Sequence, residues 1–165
     1  MHDPLALLAF ITLQRAAELV WARSNERRLR AQGAVEAGAS HYPLIVALHA
    51  AWLAALWWFG WDRPLLWPWV ASFFVLQAAR VWVLATLGRR WTTRVLVIPG
   101  ETLVRRGPYR FVSHPNYLVV ALEIPVTALA FGLPWLALGF GLANLAVLAL
   151  RLKVEAQALR SARPA

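Results

Sequence analysis

The residues best suited to chemistry are concentrated in one short segment, Gly107 to Tyr117. Gly-Pro favours a turn, and Pro115 disfavours a helical conformation at His114, so a helix is expected to begin near Pro115. The free N–H groups of such a helix start attract a carboxylate or phosphate, and Arg110 adds a bidentate donor. The tyrosines and Phe111 offer ring faces to an adenine or a cation. The segment predicts either a binding site of this kind or a structured turn at a membrane surface.

Ionisable side chains also occur inside long apolar stretches, where burying a charge is costly. Arg15 and Glu18 are three residues apart and can neutralise each other on one helical face, and Gln77 and Arg80 share a face in the same way. Glu123 has no such neighbour and must be either neutral or paired. It is either a proton acceptor for a substrate that enters from lipid or the ion-pair partner of one of the two arginines.

Metal and thiol chemistry have little support in the sequence. His49 lies in the middle of an apolar stretch and is interpreted as a hydrogen-bonded packing residue. No second His, Asp or Glu accompanies it at metal-ligand spacing, and the chain has no cysteine. We therefore predict no metal site and exclude disulfide scaffolds and thiol catalysis.

The elements that must position these residues are apolar helices. The chain has 165 residues, of which 60% are hydrophobic and 15% charged, and its mean hydropathy of +0.53 excludes a water-soluble globule. Five stretches approach the ~20 residues that an apolar helix needs to cross a bilayer. They are Leu5 to Ala22, Tyr42 to Gly60, Leu65 to Leu87, Tyr117 to Phe131 and Pro134 to Leu150. The expected fold is an all-α integral membrane protein with five transmembrane helices, the last two joined as a tight hairpin.

The charge distribution predicts the orientation of these helices. The formal net charge is +9, and fourteen of the seventeen lysines and arginines fall on one side of the five stretches. The positive-inside rule therefore places the N-terminus outside and the C-terminus in the cytoplasm. The same distribution explains the basic excess without a nucleic-acid partner. The abundance of Arg over Lys and of Ala indicates a bacterial source, and hence the bacterial cytoplasmic membrane.

The chain is expected to form a single membrane domain, 1–165, without internal repeats or long linkers. A basic cytoplasmic loop is predicted from Arg23 to Ser40. In the segment 89–116, Arg94 to Ile98 is strand-like and Pro99-Gly100-Glu101 indicates a turn. The predicted parts are the three N-terminal spans in 1–88, the cytoplasmic motif segment 89–116, the helical hairpin 117–150 and the cytoplasmic tail 151–165.

Four features follow one another in the C-terminal half: Gly107-Pro108-Tyr109, His114-Pro115-x-Tyr117, two close apolar spans and Arg151-x-x-x-Glu155. Together they resemble the isoprenylcysteine carboxyl methyltransferase family. The resemblance implies an integral-membrane methyltransferase that uses S-adenosylmethionine, bound in a pocket open to the cytoplasm. It also implies a lipophilic acceptor that enters sideways from the bilayer.

The resemblance assigns residues by position. The implied cofactor-binding residues are Val104, Gly107, Pro108, Tyr109, His114, Pro115, Tyr117 and Glu155. Val104 is expected to offer backbone contacts to adenine, and Arg151 and Glu155 are expected to share one face of a helical extension of the fifth span. With Arg110 and Glu123, these two residues make up the predicted catalytic group. Ser113 stands where the family commonly has arginine, which leaves anion binding to Arg110, and Ala156 stands where a second acid is common.

A narrower resemblance covers the N-terminal half. It consists of Glu18, Arg23 to Glu26, Gly33 to Gly38 and His41 to Pro43. This pattern resembles the bacterial branch of the family that is associated with type III polyketide synthases. Members of that branch O-methylate long-chain alkylpyrones or alkylresorcinols, so such a compound is the favoured acceptor. An isoprenylcysteine-type carboxylate is the alternative.

Several alternatives stay open at this point. A phenolic or enolic acceptor needs a base, for which His114, Glu123 and Glu155 are the candidates, whereas a carboxylate acceptor needs none. The rival enzyme class is an NADPH-dependent membrane reductase of the sterol-reductase type. The rival outside enzymes is a small helical-bundle protein whose buried charges serve only assembly.

Overall fold

Five helices and one two-stranded ribbon make up the computed structural model, which describes residues 3–98 and 104–161. The helices are α1 (Asp3–Ala31), α2 (Tyr42–Gly60), α3 (Trp67–Leu87), α4 (Pro115–Ala130) and α5 (Pro134–Ser161). The strands are β1 (Val35–Ala37) and β2 (Val95–Val97). Single 3-10 turns cover Ala39–His41, Gly88–Arg90 and Gly107–Arg110.

The helices have the lengths and composition of a membrane protein. Among the described residues, four helices are long and apolar enough to cross a bilayer, namely α1, α2, α3 and α5. The 16 residues of α4 rise only about 24 Å, less than the ~30 Å of a typical hydrocarbon core. The prediction of a largely helical membrane protein is therefore confirmed, while the fifth crossing and the orientation stay predictions.

Helix α1 is longer than predicted from the sequence. It continues to Ala31, so the first part of the predicted loop from Arg23 to Ser40 is helical instead. This segment is rich in good helix formers, and the first glycine with a positive φ is Gly33, at 87°. Asn25 and Leu29 on this extension are buried, which shows that tertiary contacts stabilise it.

The ribbon modifies the expected all-α fold. The strand predicted from Arg94 to Ile98 is confirmed as β2, and it pairs antiparallel with β1, which was predicted as loop, with Val35 opposite Val97. The predicted turn at 99–101 lies outside the described residues. Gly38, with φ of 63°, follows β1 and packs so closely on Val154 of α5 that any added Cβ would collide with it. The ribbon is thereby attached to the C-terminal helix.

The predicted helical hairpin is confirmed. Gly132 has a φ of 66°, and its N–H donates to the carbonyl of Leu129 at 2.9 Å, while the N–H of Leu133 donates to that of Ala128 at 3.0 Å. These bonds cap α4 and turn the chain directly into α5. The hairpin packs with α1, α2 and α3 around a core whose largest enclosed side chains include Trp52, Phe73 and Phe131.

Candidate active site

A cavity of about 790 Å³ opens at the end of the bundle where β2, the Gly107–Arg110 turn, the start of α4 and the last turns of α5 meet. Its volume lies within the ~300–1,000 Å³ typical of small-molecule sites. Arginines from several elements line it: Arg90, Arg94, Arg105, Arg110 and Arg151. Seven of the predicted site residues also lie in its wall: Val104, Tyr109, Arg110, His114, Tyr117, Arg151 and Glu155.

Three other predicted residues shape this wall without lining it. Pro115 begins α4, as the sequence predicted, and Pro108 is buried in the preceding turn. Gly107 has a φ of 57°, and a Cβ at this position would collide with the side chain of Thr86 on α3. Only glycine combines this backbone conformation with such a close approach. The turn is therefore pressed against α3, which brings Tyr109 and Arg110 to the cavity.

The cavity cluster, as we call it, consists of His114, Tyr117, Arg151 and Glu155. It connects the start of α4 to the C-terminal half of α5. Arg151 Nε donates to the hydroxyl oxygen of Tyr117 at 2.9 Å, and that hydroxyl donates to the carboxylate of Glu155. Arg151 and Glu155 share one face of α5, as their i, i+4 spacing predicted. The ring of His114 stacks on Tyr117 with 5.4 Å between centroids and 3° between planes.

This arrangement offers opposite charges to one ligand. The guanidinium of Arg151 can hold a carboxylate, and the carboxylate of Glu155 can hold an ammonium group or accept a proton. Burial, together with the nearby charge of Glu155, raises the pKa of Tyr109 to about 12. Tyr109 is therefore a neutral hydrogen-bonding phenol in the wall at physiological pH.

Glu123 lies elsewhere, in a second group of polar residues between the helices. The bundle cluster, as we call it, comprises Arg15, Glu18, Gln77, Arg80 and Glu123. One carboxylate oxygen of Glu123 accepts from Arg15 and from Gln77, the latter at 2.7 Å, and the other accepts from Arg80. Its exposed fraction is 1%.

Of the two alternatives left open for Glu123, the ion pair is therefore present, and with both arginines at once. The expected pair between Arg15 and Glu18 is also confirmed, at 2.8 Å. Glu123 does not line the cavity. It lies six residues after Tyr117 on α4, or roughly 9 Å further along the helix axis. A role as proton acceptor has no support from this placement.

His49 is a packing residue, as predicted. Its Nδ1 lies 2.9 Å from the carbonyl oxygen of Ile45, one turn earlier in α2. Within residues 3–98 and 104–161, no three His, Asp or Glu side chains are grouped so that they could hold a metal ion.

The contribution of the N-terminal half to the cavity was not predicted from the sequence. Arg94 of the cavity wall pairs with Glu36 of the ribbon and, at 3.6 Å, with Glu26 of α1, and its guanidinium lies 3.9 Å from the centre of the Tyr42 ring. The Tyr42 hydroxyl lies 3.1 Å from Thr93 Oγ1. Several of these residues belong to the N-terminal pattern noted above, which was the only signal that could have indicated them.

Comparison with known proteins identifies the family of this chain. The Isoprenylcysteine carboxyl methyltransferase (ICMT) family matches residues 69–161, more than half of the chain. The uncharacterized protein YpbQ of Bacillus subtilis (strain 168) is 36% identical over 168 residues, covering 93% of this chain and 95% of the relative. No solved structure matches the chain. The matched family region includes every residue of the cavity cluster.

Proposed function

Because this chain belongs to the isoprenylcysteine carboxyl methyltransferase family, we propose that it is a membrane enzyme that transfers the methyl group of S-adenosylmethionine to an oxygen of a lipophilic acceptor. One observation carries the proposal. Side chains that lie far apart in the sequence, from Tyr109 to Glu155, line one cavity at the arginine-rich end of the bundle.

The residues of the cavity fit S-adenosylmethionine. The donor carries a carboxylate, an ammonium group and an adenine, and the wall offers Arg110 and Arg151 for the first and Glu155 for the second. The stacked rings of His114 and Tyr117 and the phenol of Tyr109 supply flat apolar surface and hydrogen bonds. When bound, S-adenosylmethionine supplies an electrophilic methyl group.

The protein residues have three tasks in this proposal. The residues of the cavity wall orient the two substrates, which is the main requirement of an in-line displacement. The helices packed around the cavity limit the access of water. The lining arginines stabilise an acceptor oxygen as its anion. A carboxylate acceptor then needs no base, whereas a phenol or enol would give its proton to His114 or Glu155, which reach the cavity.

The proposed orientation places the cavity in the cytoplasm and the N-terminus outside, with α4 as a fifth, short crossing. Five of the arginines counted for the positive-inside rule line the cavity, which supports this orientation. We propose that the acceptor enters from the bilayer, because the polar donor needs the aqueous side. A long-chain alkylpyrone or alkylresorcinol is the favoured acceptor, on the pattern of the N-terminal half, in a bacterial cytoplasmic membrane.

Calorimetry on the detergent-solubilised protein tests the class of ligand. We expect S-adenosylhomocysteine to bind and NADPH not to bind. Binding of NADPH alone would favour a membrane reductase, and binding of neither would favour a helical bundle without catalysis. Incubation with methyl-labelled donor and a panel of alkylpyrones, alkylresorcinols and prenylated cysteine carboxylates, followed by mass spectrometry, then identifies the acceptor.

A further inference from the structure

Arg151 and Glu155 carry opposite charges four residues apart on α5, a spacing at which two such side chains ordinarily pair directly. Among the residues that the structure describes, no ion pair joins them, and both bond instead to the hydroxyl of Tyr117. Arg151 Nε donates to this hydroxyl at 2.9 Å, and the hydroxyl donates to Glu155 Oε2. One hydroxyl can do both, because it has one hydrogen and free lone pairs. Tyr117 therefore lies between the two charges.

The bonds to Tyr117 use only part of each charged group. Arg151 keeps its terminal nitrogens Nη1 and Nη2, and Glu155 keeps Oε1, without a partner among the described residues. These three atoms are accessible to solvent, and both residues line the cavity. A ligand in the cavity can therefore reach the edge of a guanidinium group and a carboxylate oxygen that one hydroxyl links.

The ring of Tyr117 is fixed independently of these bonds. The residue lies in the first turn of α4, which begins at Pro115, and its ring stacks on that of His114. The central carbon of the Arg151 guanidinium lies 5.3 Å from the centre of the same ring. The packing of the ring thus determines where the hydroxyl lies, and the hydroxyl determines where the two charged groups lie.

We propose that Tyr117 is a positioning residue, whose hydroxyl keeps Arg151 and Glu155 apart so that each binds one group of the amino-acid portion of S-adenosylmethionine. The guanidinium group binds the ligand carboxylate, and the Glu155 carboxylate binds the ligand ammonium group. Both ligand groups are attached to one carbon, so their site requires opposite charges that are close together but not paired with each other. This inference rests on the proposed function and explains why the two charges stay available.

Tyr117→Phe tests this role with two ligands. The variant keeps the ring that stacks on His114 and removes the hydroxyl, so Arg151 and Glu155 can pair directly. By calorimetry, S-adenosylhomocysteine should bind about tenfold more weakly to this variant. The affinity for 5′-methylthioadenosine, which lacks the amino-acid portion, should stay unchanged. An equal loss for both ligands would overturn the inference.

A double-mutant cycle separates positioning from direct contact between the Tyr117 hydroxyl and the ligand. Glu155→Gln leaves Arg151 without this acid as a partner. In that background, Tyr117→Phe should change the affinity for S-adenosylhomocysteine by less than about twofold, because the two substitutions act through the same pair. If the hydroxyl bound the ligand itself, the two losses would add, and the inference would be wrong.

Thr127→Val is the control for the loss of a hydroxyl from α4. The Thr127 hydroxyl is buried and donates to the carbonyl of Glu123 at 2.7 Å, and the residue does not line the cavity. The variant should bind both ligands as the wild type does. A loss as large as that of Tyr117→Phe would overturn the inference, because it would reflect the packing of α4 alone.

A measurement on the unaltered protein covers the case in which Tyr117→Phe fails to fold. In a ¹⁵N-arginine sample, Arg151→Lys identifies the Nε–H signal of Arg151. We expect this signal to persist when S-adenosylhomocysteine binds, because the ligand uses the terminal nitrogens. Its loss on binding would show that the ligand displaces the tyrosine hydroxyl, which refutes the inference. If the wild-type protein binds neither ligand, the proposed function itself fails. If it binds both and Tyr117→Phe binds them equally well, only this inference fails.

Discussion

The bundle cluster and the cavity cluster each include one residue of α4, Glu123 and Tyr117, about two turns apart, yet the charged groups of the two clusters face different surroundings. In the bundle cluster, two arginines face two glutamates, and both oxygens of Glu123 are occupied. In the cavity cluster, Arg151 and Glu155 meet through the hydroxyl of Tyr117 and still face open space.

This difference distinguishes charged residues that hold helices together from charged residues that are available to a ligand. A buried network that is neutral overall, with both carboxylates paired to arginines, fixes how α1, α3 and α4 pack and leaves neither carboxylate free for a substrate. A cluster that lines a cavity keeps donors and acceptors available. Glu123 and Glu155 were both catalytic candidates in the sequence, because a sequence shows which residues are ionisable but not whether their partners are already present.

The largest expected effect follows from breaking the bundle cluster. Glu123→Gln removes the charge that pairs with both Arg15 and Arg80, so two cations remain buried with one glutamate between them. Removing one partner of a buried ion pair typically costs about 3–5 kcal/mol. We expect the free energy of unfolding, measured by titration from mild detergent into SDS, to fall by about this amount.

A compensating variant tests the cause of that loss. Arg15→Gln combined with Glu123→Gln returns the bundle cluster to neutrality and should recover a substantial part of the stability. If Glu123→Gln unfolds like the wild type but loses methyl transfer to a phenolic acceptor, the comparison is wrong and Glu123 is a proton acceptor after all.

The same Glu-to-Gln substitution in the cavity cluster should lower turnover and leave stability unchanged. Glu155→Gln removes a charge that faces the cavity, so we expect an unchanged unfolding midpoint and a turnover about 100-fold lower. Methyl transfer from labelled donor is the measurement. A large loss of stability without loss of turnover would show that Glu155 belongs with the structural residues.

A smaller effect is expected at the edge of the cavity cluster. His114→Ala removes the ring that stacks on Tyr117, so the affinity for S-adenosylhomocysteine should fall about tenfold by calorimetry. His49→Ala, in α2 and away from the cavity wall, is the control and should leave the affinity unchanged. An unchanged affinity in His114→Ala would mean that the donor binds elsewhere.

Local patterns predicted several features of the fold and of the cavity wall. The start of α4 followed from His114-Pro115, the hairpin from the short gap between the last two apolar stretches, and the shared face of Arg151 and Glu155 from their spacing. Strand β2 followed from its β-branched residues. Each of these features is determined within a few residues of chain, where sequence periodicity and the conformational limits of proline and glycine act directly.

The features that could not be predicted depend on contacts between distant segments. Neither the pairing of Val35 with Val97 nor the ion pair between Glu36 and Arg94 has a local signal, since 58 residues separate the second pair. The burial of Trp91, whose exposed fraction is 4%, likewise depends on contacts within the assembled bundle. The charges of the bundle cluster were visible in the sequence, but the simultaneous pairing of Glu123 with Arg15 and Arg80 was not.

The smallest expected effect concerns the ribbon, whose strand β2 lines the cavity. Although burial opposes it, hydrogen bonds from Arg94 and Arg30 lower the pKa of Glu36 below its ordinary 4.5. A carboxylate with a lowered pKa stabilises the folded state above the ordinary value and loses this contribution as the pH falls through the lowered one. The affinity for S-adenosylhomocysteine should therefore decline as the pH falls through this lowered pKa, when Arg94 loses its ion pair with Glu36.

Glu36→Gln should remove the ion pair with Arg94 at every pH. We expect its affinity at pH 7 to be lower by no more than about threefold, as for a partly exposed ion pair, with a weaker decline in acid than the wild type shows. Asp62→Asn, at the opposite end of the bundle, removes the same charge and should change neither quantity. If Glu36→Gln keeps the full acid response, another group causes it, and the ribbon does not couple the N-terminal half to the cavity.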